Sequence, residues 1–259
     1  MSRYDELRDA LRAGEPVALA TVVEGANLGA KLLVKPDGRA SGSLGDANLD
    51  RVVARDARGE LEAGLTSTRH YGAHGEARER DVSVFIESFA LPPRMIIFGA
   101  VDFTAALAKV AKVLGYRVTV CDARAVFATV LRFPMADEVV NDWPDRYLAK
   151  VGDELGPRDA ICVLTHDHKF DVPAIAAAVK TAVGYLGAMG SRRTHEQRTG
   201  RLREAGLTDG EIARVMSPIG LDIGARTPEE TAVAVCAEVI ALRTGRRAQS
   251  LRDTAGPIH

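Results

Sequence analysis

The segment from Arg94 to Arg124 constrains the fold of this 259-residue chain more than any other. It opens with Met95-Ile-Ile-Phe98, an apolar run of strand length and of the kind that is buried on both faces of a sheet. Gly99-Ala100 ends that run. Phe103, Ala106, Leu107, Val110, Val113 and Leu114 then recur at helical spacing, and Gly115 supplies a helix stop. Val118-Thr-Val-Cys121 is a second buried-strand run, closed by Asp122. Strand, glycine turn, helix, strand and acid make the first half of a Rossmann-type unit. Asp122 lies at the distance at which a carboxylate takes the hydroxyls of an adenosine ribose.

The turn itself departs from the pattern. Gly-x-Gly-x-x-Gly is expected after such a strand, and the chain reads Gly99-Ala100-Val101-Asp102-Phe103-Thr104. Only Gly99 matches. Val101 stands where the backbone should approach a pyrophosphate, and Thr104 stands where close helix packing favours glycine. Asp102 suits the dipole at a helix start but repels a phosphate. Two readings stay open. Either Gly99, Val101, Asp102, Phe103 and Thr104 still form a nucleotide-binding turn, or the fold persists without tight nucleotide binding.

Hydrophobic residues make up 46% of the chain, enough for a sizeable core. A net charge of −1 and 5% aromatics argue against a nucleic-acid partner, which needs basic excess and stacking surface. No apolar run reaches the length of a membrane span, and the charged N-terminal stretch does not resemble a signal peptide, so a cytoplasmic protein is expected. Cys121, Cys162 and Cys236 are far apart and flanked by apolar residues. They read as buried thiols of a reducing compartment, and they cannot supply an iron–sulfur cluster.

Residues 2–13 form an amphipathic helix. Strand-like runs follow at 17–23, 30–34 and 39–44, then a helix at 46–57 and strands at 65–71 and 81–89. Ala90-Leu-Pro-Pro-Arg94 is a stiff linker. The spacing beyond it predicts strands at 137–140, 159–164 and 183–186, with helices at 173–181, 191–205 and 228–242. Thr227, Pro228 and Glu230 give the last helix a capped start. The alternation predicts an α/β chain: a smaller N-terminal α+β domain at 1–90, a Rossmann-like, doubly wound parallel sheet at 94–244, and a tail at 245–259.

In such sheets ligands bind at the carboxyl ends of the strands, which singles out four loops. After the second strand, Asp122 is the ribose candidate. Arg124 is read as a ligand for a 2′-phosphate or pyrophosphate in preference to a partner for a surface acid. After the fourth, Thr165, His166 and Asp167 line a polar crevice. His166-x-His168 with Asp171 has metal-binding chemistry, yet a catalytic zinc needs three protein ligands and no further histidine or cysteine stands nearby, so no metal is assigned. After the fifth, Gly187, Gly190, Ser191 and Arg192 combine a glycine turn, a helix start and added positive charge, the strongest phosphate candidate of the chain. In the loop from Ser217 to Arg226, Asp222 and Arg226 form an internal ion pair or touch a ligand.

Taken together, Tyr185-Leu-Gly-Ala-Met-Gly-Ser-Arg-Arg-Thr194, Arg201-Leu-Arg-Glu-Ala-Gly-Leu207 and Pro218-Ile-Gly-Leu-Asp-Ile-Gly-Ala-Arg-Thr-Pro-Glu-Glu230 resemble the XdhC/CoxI family, accessory proteins of xanthine dehydrogenase and related molybdenum hydroxylases. Thr165-His-Asp-His168 and Phe98-Gly-Ala fit the same pattern. The resemblance implies a Rossmann-like C-terminal domain that binds molybdenum cofactor (molybdopterin) and assists its sulfuration and insertion. Three departures mark a divergent subgroup. Asn48, within Gly42-Ser-Leu-Gly-Asp-Ala-Asn-Leu-Asp50, stands at the family's cysteine position. Glu24-Gly-Ala-Asn-Leu-Gly29 lacks the usual Ser-Ser-Pro-Arg run, and Gly99–Thr104 replaces Gly-Ala-Gly-His-Val-Gly.

The function expected is that of an accessory protein binding a phosphate-bearing pterin or nucleotide for a molybdenum hydroxylase such as xanthine dehydrogenase. An NAD(P)-dependent oxidoreductase is the alternative suggested by Asp122 and Arg124, although no Ser-Tyr-Lys set or hydride-transfer acid accompanies them and no catalytic residue is assigned. A structural partner protein that has lost cofactor binding is the third. The oligomeric state stays open, a homodimer being compatible with the sequence.

Overall fold

A computed structural model of the chain describes residues 3–165 and 167–255. The chain divides into two compact units, Met1–Leu91 and Pro92–His259.

In the first unit, helix α1 (Arg3–Ala13) precedes strands β1 (Val17–Glu24), β2 (Lys31–Val34) and β3 (Ala40–Ser43), then α2 (Ala47–Ala63), β4 (Ser67–Tyr71) and β5 (Val82–Phe89). The strands form one antiparallel sheet in the order β3-β2-β1-β5-β4. Alternation along β1 decides the layers. Ala18, Ala20 and Val22 pack with Leu49, Val53, Ala57 and Leu61 of α2, whereas Val17 and Leu19 pack with Ala10 of α1. Helix α2 runs past the stop expected at Ala57, because Leu61 continues its apolar stripe and Gly64 closes it in the left-handed conformation (φ 63°).

The second unit contains β6 (Arg94–Phe98), α3 (Asp102–Val113), β7 (Arg117–Cys121), β8 (Glu138–Val140), α4 (Pro144–Val151), β9 (Ala160–Val163), α5 (His168–Ala178), β10 (Tyr185–Ala188), α6 (Arg192–Glu204), α7 (Asp209–Ile212), β11 (Val215–Met216) and α8 (Pro228–Thr244). Its six strands are all parallel, in the order β11-β10-β9-β6-β7-β8. Met95 and Ile97 pack with Leu107 of α3 and Val235 of α8 on one face; Ile96 and Phe98 pack with Leu148 of α4 and Ile175 of α5 on the other. This is the doubly wound parallel sheet expected from the sequence.

Three elements, α4, α7 and β11, are additions to the pattern expected from the sequence. Helix α5 begins at His168, ahead of the start expected at Pro173, because Asp167 caps it by accepting from the Lys169 N–H at 3.0 Å. No helix of the described residues is long and apolar enough to cross a membrane.

Candidate functional site at the carboxyl ends of the parallel strands

Strand order reverses between β6 and β9, and the register sets Phe98 level with Cys121 on one side and Val163 on the other. The loops opened by Gly99, Asp122 and Leu164 therefore leave the sheet at one level, at the topological switch point where such sheets bind ligands. Gly99 is required there. Its φ is +112°, and a Cβ would lie 2.9 Å from Thr165 Cγ2 and 3.1 Å from the Thr165 nitrogen.

The turn into α3 is closed by its own residues. Val101 begins the helix without a side-chain acceptor, and the fully buried Thr104 accepts from the Val101 N–H at 3.4 Å while donating to the Gly99 carbonyl. Thr104, expected as a cofactor contact, braces the turn. Phe103 is half-buried and packs against the core cluster that includes Leu107 of α3. Asp102 is exposed at the first turn of the helix.

Asp122 is buried, and its carboxylate is fully engaged. Oδ2 accepts from the Ala100 N–H at 2.7 Å and from Arg124 Nη2 at 2.7 Å; Oδ1 accepts from the Arg124 N–H and Nε, both at 2.9 Å. Burial, the largest effect, pushes this carboxyl up, but Arg124 and the two N–H groups outweigh it and hold it below the usual carboxylate range. Arg124 also lies over the Phe127 ring, 4.6 Å from its centroid. Arg124, expected as a phosphate ligand, pairs here with the acid two residues before it.

A cleft of ≈410 Å³ opens here, lined by Val101, Arg124, Thr165, Asp167, His168 and Phe170. The Thr165 hydroxyl is buried and has no hydrogen-bond partner among the described residues. Such a group costs stability unless a ligand or water meets it. Phe170 stacks on Trp143 with centroids 5.0 Å apart. His166 lies outside the described residues.

One strand along, the β10–α6 turn brings Gly190, Ser191 and Arg192 to the same sheet edge. Ser191 caps α6 by accepting from the Thr194 N–H at 3.1 Å, and Arg192 and Arg193 are exposed. Gly187, expected in the same turn, is buried within β10, where a Cβ would lie 2.6 Å from the Ile219 side chain, so packing accounts for its identity.

Residues 95–239 match the model of the XdhC Rossmann domain, and residues 10–72 match that of the XdhC and CoxI family. The chain belongs to the XdhC and CoxI family. It is 30% identical over 240 residues to a probable xanthine dehydrogenase subunit of Bacillus subtilis (strain 168), covering 93% of this chain and 64% of that protein. It is 27% identical to the uncharacterized protein YqeB of Escherichia coli (strain K12), over 88% of this chain and 44% of that one. A shorter match, 33% identical over 38% of this chain and 31% of the other, is to the molybdenum cofactor insertion chaperone PaoD of Escherichia coli (strain K12). The chain thus spans less than two thirds of the length of these relatives. A crystal structure described as a xanthine dehydrogenase, from Bacillus halodurans, shares the fold with a TM-score of 0.55 at 22% identity, over 97% of this chain and 98% of that one.

In this XdhC-family Rossmann unit the residue least visible in the sequence is Arg198. It is 2% exposed, donates from Nε and Nη2 to Asp171 Oδ2 at 3.1 and 3.0 Å, and reaches the Met189 carbonyl at 2.7 Å and Ser217 Oγ at 3.1 Å. Its one signal in the sequence is position: it lies one turn before the buried Leu202 on an otherwise charged helix. The pairing engages Asp171 Oδ2, whereas its buried Oδ1 has no hydrogen-bond partner among the described residues. Among the described residues no group of three His, Cys, Asp or Glu could hold a metal ion. No ion pair joins Asp222 to Arg226 among them either, and both are exposed. The three cysteines are buried and free, and burial pushes the Cys121 thiol up to about 12 and Cys236 to about 11.

Proposed function

We propose that this protein is an accessory factor for a molybdenum hydroxylase of the xanthine dehydrogenase type, and that its Rossmann unit holds a phosphate-bearing pterin during maturation or insertion of the cofactor. The partner class comes from the family and from the names of its relatives. The observation that carries the ligand reading is the buried Thr165 hydroxyl of the switch-point cleft, which has no partner among the described residues. A heterocycle between Val101 and Phe170 would give that hydroxyl a partner, and the Asp167 carboxylate would accept from ring amino groups. The phosphate would lie one strand away, on the N–H groups of the Gly190–Ser191 turn and on Arg192. When bound, the cofactor supplies the molybdenum redox chemistry of the partner enzyme; the residues here bind, orient and release it.

Native mass spectrometry of the chain with molybdopterin extracted from a molybdoenzyme tests the reading. One pterin per chain is expected, with Thr165→Val weakening the adduct. A folded chain that takes up no pterin removes the proposal.

A further inference from the structure

Rossmann units take dinucleotides by two devices, a glycine turn against the pyrophosphate and an acid at the end of the second strand for the ribose. The residues present do not fit such a ligand. A carboxylate offers about four lone-pair positions, and the four donors to Asp122 are Ala100 N–H, Arg124 N–H, Arg124 Nε and Arg124 Nη2, at 2.7 to 2.9 Å. The Asp122 side chain is 3% exposed, so no ribose hydroxyl reaches it while Arg124 is in place. Two aromatic rings steady that guanidinium, Phe127 at 4.6 Å and Phe170 at 5.9 Å. On the pyrophosphate side, Val101 lines the cleft where a glycine is needed, and Asp102 and Asp167 add negative charge nearby.

We infer that Arg124 is a built-in occupant of the ribose position, a specificity residue that closes the unit to adenine dinucleotides and keeps the cleft for a ligand without an adenosine ribose. Asp122 acts through Arg124 as its positioning partner. The inference shares with the function proposed above only the assignment of the cleft as the ligand site.

The full chain provides its own reporter, because its one tryptophan, Trp143, stacks on the cleft residue Phe170. ADP-ribose is titrated into the parent and into three variants: Arg124→Ala, Val101→Gly with Arg124→Ala, and the latter pair with Asp122→Asn. No saturable change is expected for the parent at millimolar ligand. Val101→Gly with Arg124→Ala should bind roughly tenfold or more tightly than the parent limit, and Asp122→Asn should reverse that gain by roughly tenfold. Micromolar binding by the parent overturns the inference. So does a folded Val101→Gly/Arg124→Ala chain with no gain, or a gain that Asp122→Asn leaves intact. Should Arg124→Ala not fold, Arg124→Lys is titrated in its place, since lysine cannot engage both carboxylate oxygens as a fork does; no gain there overturns the inference equally. A parent that takes up neither extracted pterin nor ADP-ribose counts against the proposed function and leaves this inference to be decided by the variants.

Discussion

Arg198 and Asp171 form an ion pair almost wholly removed from water, with side chains 2% and 5% exposed and N–O distances of 3.1 and 3.0 Å. The pair ties α6 to α5, and through Met189 and Ser217 it also holds the loops that follow β10 and β11. Removing one member leaves the other charged and unpaired in the interior. Arg198→Leu should therefore cost about 3–5 kcal/mol in urea unfolding. Arg198→Met with Asp171→Leu should recover most of that loss, because two apolar side chains leave no buried charge. A single variant as stable as the parent would show that water reaches the site.

Thr165→Val should act in the opposite direction on the free protein. The Thr165 side chain is buried, and its hydroxyl has no partner among the described residues. Replacing the hydroxyl with a methyl group removes an unsatisfied polar group at nearly constant volume, a gain of about 1 kcal/mol or more. Ligand uptake should fall at the same time. A stabilised variant with unchanged pterin uptake would leave the hydroxyl without a role in binding.

The doubly wound sheet is legible in the sequence because each parallel strand is a short apolar run, as Met95–Phe98 and Val118–Cys121 show, and because Gly99 and Asp122 punctuate their ends. The site is legible only as a set of loops. Arg124 and Asp122 are two residues apart, yet nothing in their spacing says whether the guanidinium turns back onto the acid or out to a ligand; the fork geometry at the strand end decides it. The early start of helix α5 is hidden because His168-Lys-Phe-Asp171 is mostly polar, and only the cap at Asp167 outweighs that polarity. Arg198 is hidden among the exposed charges of α6, since burial of an arginine depends on a partner that only tertiary packing brings.

The Asp46–His74 contact predicts a pH response in the first unit. His74 Nδ1 lies 2.9 Å from Asp46 Oδ2, and the hydrogen bond to Asp46, followed by its charge, raises the imidazolium above the ordinary histidine range. A group whose folded pKa is raised contributes stability that is complete below its unfolded value and disappears as pH rises through the folded value. Asp46 titrates the other way: N–H donation from Leu49, then the His74 hydrogen bond, hold it low, so its contribution is lost as pH falls through that depressed value. The contact should be strongest between the two. An NMR titration should place the His74 midpoint above that of an unperturbed histidine, and Asp46→Asn should lower it. A midpoint unmoved by Asp46→Asn would mean that the contact does not persist in solution.

Arg192 should decide where the phosphate of a bound cofactor lies. Two turns compete along one sheet edge. The first, at Gly99–Val101, is closed by Thr104, crowded by Val101 and faced by Asp102. The second, at Gly190–Ser191, leads into a helix of 13 residues whose first N–H groups have no intrahelical acceptor. The dipole of that helix places roughly half a positive charge at its start. Ser191 Oγ takes the Thr194 N–H and also pairs with the Thr194 hydroxyl at 2.9 Å, which leaves the N–H groups ahead of Thr194 for an anion, and Arg192 and Arg193 stand exposed beside them. A charge-assisted hydrogen bond contributes about 1.5–3 kcal/mol, so Arg192→Ala should weaken pterin uptake by roughly ten- to a hundredfold. Thermal unfolding of the free protein should hardly change, because an exposed arginine without a buried partner adds little to the fold. Uptake that ignored Arg192→Ala but disappeared with Val101→Asp would return the phosphate to the first turn.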